Sequence, residues 1–366
     1  MPRDTGRERV AELRAWRVAD RDAWNGFVEA APYRSFPQLW EWGELREPFG
    51  WRPLRIAVGE DPGVPPRAAA QVLLRQVPLA GWRLAYVPRG PVGELDDPGV
   101  REALFAALRS LARADRVATL KVDPEATLDS AFGDALLAAP WRPAAKVQPP
   151  RTRVIDLAPS EDELRAALKR KHRQYVNKAE RDGISVERLD RTADAATVRA
   201  GLDDFYRIYA HTAERAGFVA RAKHYYDRVW ELFAPTGHAR LAFATRDGER
   251  LATLFHFTCG DRAAEAFGGM TDAGAESRAN YLVKWASIIG FKAEGFAVYD
   301  LWGLATGGIA QFKEGFGGRQ VDYVGARDLP LRRAEDAALR LLLPAYGMAQ
   351  RTRLRLMGRR LAGSDD

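Results

Sequence analysis

Two stretches of the chain run through the same order of patterned segments, and this repetition limits the folds open to it. In the first, residues 54–58 read as a strand and GEDPGVPPR at 59–67 as turn chemistry. Strands at 69–77 and 82–87 follow, then an amphipathic helix over 97–113 and a strand at 118–122 stopped by Asp123 and Pro124. In the second, a strand at 240–245, a hairpin turn at Asp247-Gly248 and a return strand at 252–259 lead to a third strand at 263–267. A long helix over 278–294 and a strand at 297–302, broken at Gly303, complete the order. Ala118 of one copy matches Ala297 of the other, a period far too long for a solenoid. The pattern predicts an α/β (α+β) chain of two similar domains, each with antiparallel strands and a helix crossing to a further strand.

Pro149-Pro150 marks the expected boundary, giving a first domain at 1–150 and a second at 151–325. Residues 326–366 form a basic helical segment expected to pack back on the first domain. With 366 residues, 46% of them hydrophobic, each half can bury a core. Asp20 reads as the cap of an early helix, and Trp40, Trp42 and Trp51 as packing residues. The single cysteine, Cys259, excludes internal disulfides and fits a reducing compartment. MPRDTGRERVAELRAW lacks the apolar centre of a signal peptide, and no apolar run approaches a membrane span. The expected location is cytoplasmic, with membrane contact only at the inner surface.

Lys and Arg number 56 against 49 Asp and Glu, a net charge of +7 that suits a polyanionic partner. The charge is densest in LKRKHRQYVNKAERDG, residues 168–183. Ser160 and Glu163 have capping-box spacing and Gly183 suits a helix end, which predicts one helix between them. Its apolar face holds Leu164, Leu168, Val176 and Ala179; its basic face holds Lys169, Arg170, Lys171 and Arg173. Either this face is solvated or it meets phosphates. A second basic segment at the C-terminus, with Arg351, Arg353 and Arg355, suits nucleic-acid phosphates, with adsorption to anionic lipid as a competing use.

The five histidines are scattered without metal-ligand spacing, so no metal is expected. No G-x-S-x-G elbow or phosphate loop of the form G-x4-G-K-[ST] is present. Paired α/β halves suggest an acyltransferase, whose usual donor is acyl-CoA. No glycine lies in the [RQ]-x-x-G-x-[GA] loop that grips its pyrophosphate, so no CoA cofactor is expected.

Seven segments in order, YVPRGPV, LKVDPE, VQPPRTRVIDL, KRKHRQYVNKAERDG, TAERAGFVARAKHYY, YDLWGLA and FKEGFGG, carry a resemblance across most of the chain. The chain resembles the Fem family of aminoacyl-tRNA-dependent transferases that build interpeptide bridges of peptidoglycan. The resemblance implies two tandem acetyltransferase-like (GNAT-like) domains with a cleft between or across them, and aminoacyl-tRNA and a lipid- or UDP-linked muramyl peptide as partners. Only Ile184 to Leu202 separates the basic helix from the next, so the chain is similar to the compact, FemX-type members without a coiled-coil arm.

The implied reaction is aminolysis of the ester joining an amino acid to tRNA. Lys313 matches the lysine of the family's FKxGFG motif and would stabilise the oxyanion, with Phe312 shaping the pocket and Gly315, Gly317 and Gly318 letting backbone approach a ligand. Arg221 and Tyr225, at i, i+4 spacing on one helix face, fit the family's arginine–tyrosine pair for the acceptor's phosphates. Arg46 stands where relatives carry lysine, and Phe267 near a tyrosine of relatives. Asp123 and Asp300, at equivalent strand ends, read as turn or cap residues. An acyl-CoA-dependent N-acyltransferase and a non-catalytic RNA- or membrane-binding relative are the alternatives.

Overall fold

The computed structural model describes residues 12–78, 80–304 and 308–341. The first half runs β1 (Arg14–Arg17), α1 (Arg21–Ala30), α2 (Trp40–Arg46), β2 (Arg52–Gly59), β3 (Ala68–Gln76), β4 (Arg83–Val87), β5 (Val92–Gly93), α3 (Pro98–Ala114), β6 (Val117–Val122), α4 (Ala131–Leu137) and β7 (Arg142–Pro143). Asp20 caps α1 by accepting from the Ala23 N–H at 2.8 Å. Asp97 does the same for α3, with Pro98 in the first turn where a missing N–H costs nothing. Helix α3 then buries Val100, Leu104, Phe105 and Leu108 beneath the sheet.

The second half runs β8 (Arg151–Asp156), α5 (Glu161–Ala167), α6 (Arg170–Arg181), β9 (Ser185–Leu189), α7 (Ala195–Ala216), α8 (Lys223–Phe233), β10 (Ala239–Arg246), β11 (Glu249–Cys259), β12 (Arg262–Met270), α9 (Asp272–Glu276), α10 (Ala279–Ala293), β13 (Val298–Asp300), α11 (Gly308–Glu314) and β14 (Arg319–Asp322). The last strand, β15 (Arg327–Pro330), pairs antiparallel with β6 and β7 of the first half. The sheets run β1-β2-β3-β4-β6-β15-β7, with β5 beside β3, and β14-β8-β13-β12-β11-β10-β9.

The repetition seen in the sequence is one of topology. In each half three antiparallel strands are followed by a long helix and a strand parallel to the third: β4 with β6, and β12 with β13. The difference lies in how far the parallel pair extends. β4 and β6 stay paired to Val87 and Val122, with one register shift between Arg83 and Leu84, whereas β12 and β13 pair only from Arg262–Val298 to Ala264–Asp300. Beyond that point β12 continues to Met270 against β11 alone. The strands part there.

The halves share a core and a polar lock. Phe36 stacks on Phe257 with ring centroids 4.2 Å apart, joined by Trp24, Leu39 and Phe233. Arg262 bonds both Glu125 of the first half and Asp300 of the second, and donates to the Tyr323 hydroxyl at 3.1 Å. Tyr323 in turn donates to Glu125 at 3.0 Å. Asp300 accepts from the Trp302 N–H and so caps the turn after its own strand, whereas Asp123 accepts from the Arg89 N–H, in the turn after the neighbouring β4.

One predicted helix is two. The Ser160–Glu163 capping box is present and Gly183 has φ 76°, but Leu168 is extended (ψ 136°) and divides α5 from α6. The cause is tertiary. Leu168 is buried, and the next N–H, from Lys169, donates to the Gly315 carbonyl at 2.9 Å instead of continuing the helix.

Candidate active site

Where β12 and β13 part, a cavity of about 500 Å³ opens between the sheet and helices α7, α10 and α11. Phe267 and Glu265 of β12, Tyr281 and Lys284 of α10, and Phe312 and Lys313 of α11 line it. Phe312 packs edge-on against Tyr281 (5.0 Å) and Phe316 (5.3 Å), giving an aromatic wall. The Lys313 Nζ donates to the carbonyls of Leu301, Trp302 and Gly303 at 2.6, 2.6 and 2.8 Å. It thereby ties α11 to the turn that follows β13. Burial holds this amine down to about 8, with Glu265 pulling it up and Lys284 pushing it down.

The glycines of FKEGFGG have a packing role within the fold. A Cβ on Gly315 would lie 1.9 Å from the His172 ring, and one on Gly318 would lie 2.3 Å from the Val154 carbonyl. They let the motif press against α6 and β8. His172, buried on α6, reaches the Phe312 carbonyl at 2.9 Å through Nε2. The basic helix is therefore the support on which the lysine-bearing motif rests. Lys169, Arg170 and Lys171 are exposed, Lys169 lying 3.4 Å from Glu314. Arg173 is half-buried and donates to the Ala166 carbonyl at 3.2 Å, so part of its role is to close α5. Arg351, Arg353 and Arg355 lie outside the described residues.

A second cluster stands where the halves meet. Arg46, at the end of α2, and Arg221 flank the buried Tyr225 of α8. The expected helical pairing of Arg221 with Tyr225 does not form, because α8 starts at Lys223 and Ala222 is extended (ψ 151°). The pair still meets: the guanidinium folds back over the Tyr225 ring, 4.7 Å from its centroid. Burial pushes Tyr225 up while Arg221 and Arg46 pull it down, and burial beside Arg221 lowers Arg46. Among the described residues, neither arginine has a carboxylate within salt-bridge distance. Tyr226 connects the two sites, lying 5.3 Å from both Tyr225 and the cavity residue Phe267. Arg46 also borders a smaller cavity of about 170 Å³ over the first sheet, with Trp51, Tyr86 and Lys121.

The structure thus gathers Lys313, Phe312 and Phe267 into one cavity, and Arg46, Arg221 and Tyr225 into an unpaired cationic cluster beside it. It adds residues that sequence reasoning passed over. Lys284 and Glu265 are buried and bonded to each other, and Tyr299 donates to Glu265 at 2.9 Å. Their signal was available: each is a lone charge inside an apolar run, YLVKWASII and AAEAF.

Two units, each with antiparallel strands, a crossing helix and a strand parallel to the third, give the chain a tandem GNAT-like fold. A tandem GNAT protein from the clavulanic acid biosynthesis pathway superposes with a TM-score of 0.51 at 15% identity, covering 87% of this chain and 99% of that one. A crystal structure of FemX superposes more fully, with a TM-score of 0.80 at 20% identity, covering 90% of this chain and 99% of that one. Residues 20–135 and 140–254 match the FemAB family, and the chain belongs to that family. A lipid II:glycine glycyltransferase of Staphylococcus aureus is 29% identical over 234 residues, 61% of this chain and 53% of that protein. The match therefore spans about half the length of that relative. No helix among the described residues is long and apolar enough to cross a membrane.

Proposed function

We propose that this protein transfers an amino acid from aminoacyl-tRNA to an amine on the stem peptide of a peptidoglycan precursor. The observation that carries the reading is the junction of two sites: a cavity holding buried cations, and an arginine pair without carboxylate partners one aromatic step away. The arginines suit the phosphates that link a muramyl peptide to its nucleotide or lipid carrier. The cavity suits the esterified amino acid, with Lys313 on its wall fixing the turn after β13 and adding positive charge near the carbonyl. Similarity to a lipid II:glycine glycyltransferase supports the acceptor class, and membership of the FemAB family supports the transfer.

The exposed Lys169, Arg170 and Lys171 beside this cavity are the proposed contact for tRNA phosphates, without base readout. No CoA is needed as donor, and the reaction belongs on the cytoplasmic side, where both substrates are made. The test is incubation with a mixed aminoacyl-tRNA pool and both lipid-linked and nucleotide-linked precursors, with products weighed by mass spectrometry. One or more residue masses added to the stem peptide are expected. Transfer from acetyl-CoA, with none from charged tRNA, would overturn the proposal.

A further inference from the structure

The two lysines of the cavity differ in the hydrogen-bonding capacity left to each. An ammonium has three N–H donors, and all three of Lys313's meet backbone carbonyls. Lys284 lines the same cavity from α10 with its side chain only 2% exposed. Among the described residues its Nζ has one hydrogen-bond partner, a Glu265 oxygen. Around it stand the faces of Phe312 and Phe316, with centroids at 5.3 and 5.7 Å, which attract a cation without taking its protons.

Glu265 is itself held. Its second oxygen accepts from the Tyr299 hydroxyl at 2.9 Å, and His256 Nε2 lies 2.9 Å from that hydroxyl. All four residues are buried. A buried ion pair confers little net stability over apolar residues of the same volume, so stability alone gives weak reason for one at a cavity wall. A fixed ammonium with donors to spare, set in the wall of a mainly apolar cavity, is the arrangement that stabilises developing negative charge.

We infer that Lys284 is the catalytic residue whose N–H meets the acyl carbonyl oxygen as the amine attacks, with Glu265 as its positioning residue and Lys313 holding the adjoining turn. This rests on the transferase reading above. The amine nitrogen forms the N–C bond while the carbonyl electron pair moves to oxygen, against Lys284. On collapse the C=O bond re-forms and the C–O bond to ribose breaks. Of the two protons lost by the incoming ammonium, one stays with the leaving ribose oxygen and one passes to solvent.

The test compares K284M/E265Q, K284R and the unchanged protein in single-turnover transfer from the charged tRNA that the unchanged protein uses. The double variant removes the cation without stranding a buried carboxylate, and the glutamine still accepts from Tyr299. Transfer is expected to fall roughly 100-fold or more, with the affinity for uncharged tRNA and the thermal midpoint retained. K284R keeps the charge but moves the donors, and is expected to lose about tenfold or more in rate at an unchanged midpoint. Near-normal rates in either folded variant would overturn the inference and leave the transferase reading standing. Absence of transfer by the unchanged protein from every charged tRNA would overturn both.

Discussion

In the first half, β4 and β6 remain paired to their ends, and the cavity over them holds about 170 Å³. In the second half the equivalent strands part after three residue pairs, and the cavity there holds about 500 Å³. The aspartates that follow the two pairings diverge in the same way. Asp123 is satisfied within its own half by Tyr86 and the Arg89 N–H, and burial pushes it up to about 6. Asp300 bonds Arg262, which also grips Glu125 across the interface. One copy of the unit is closed over its paired strands and the other opens a large cavity. The parting of two strands, not a change of topology, makes the difference.

The largest expected effect breaks the connection between the copies. Arg262→Met takes the shared cation from Glu125 and Asp300, both nearly fully buried, and should cost about 3–5 kcal/mol in urea unfolding. A loss below 1 kcal/mol would mean that the apolar contact between Phe36 and Phe257 joins the halves by itself. Next comes the open site: Lys313→Met should lower the transfer rate roughly 100- to 1,000-fold, because the turn at 301–303 loses its anchor and the cavity a charge. Near-UV circular dichroism should show the fold intact.

Smaller effects separate the arginine cluster from the cavity. Arg221→Ala and Arg46→Ala should each raise KM for the phosphate-bearing acceptor roughly 10- to 150-fold, with kcat within a factor of three, as expected for losing a charge-assisted contact of about 1.5–3 kcal/mol. A matching fall in kcat would instead place the arginines at the reacting atoms.

The smallest is a pH effect. Lys313 titrates near 8 when folded, below the ordinary lysine value of 10.5, so between these pH values the unfolded chain binds more protons. Its contribution to stability is complete above 10.5 and is lost as pH falls through 8. Activity runs the other way: above about 8 the three carbonyls lose their ammonium, and transfer should decline. Lys313→Arg should abolish that alkaline limb, measured as kcat against pH.

The architecture was legible in the sequence because the order of segments repeats and each copy has its own cap, Asp20 in the first and the Ser160–Glu163 box in the second. The break at Leu168 was not, because it depends on a carbonyl from Gly315, far along the chain. The meeting of Arg221 with Tyr225 was foreseen for the wrong reason: helical spacing was read where a side chain folds back over a ring. Lys313 and Phe312 stood out by motif. Lys284 and Glu265 carried no motif, only the anomaly of charge in apolar surroundings, and their pairing needs the fold.

The return of β15 to the first sheet has a consequence for the chain as it leaves the ribosome. Lys121 finds its partner Asp328 207 residues later. Until then β6 presents an open strand edge, the kind of surface that invites pairing with another nascent chain. The first half therefore cannot finish its sheet as an early, independent unit, although it is synthesised first. Its completion waits on the passage of almost the whole second half, so a prematurely ended product would expose a sticky edge.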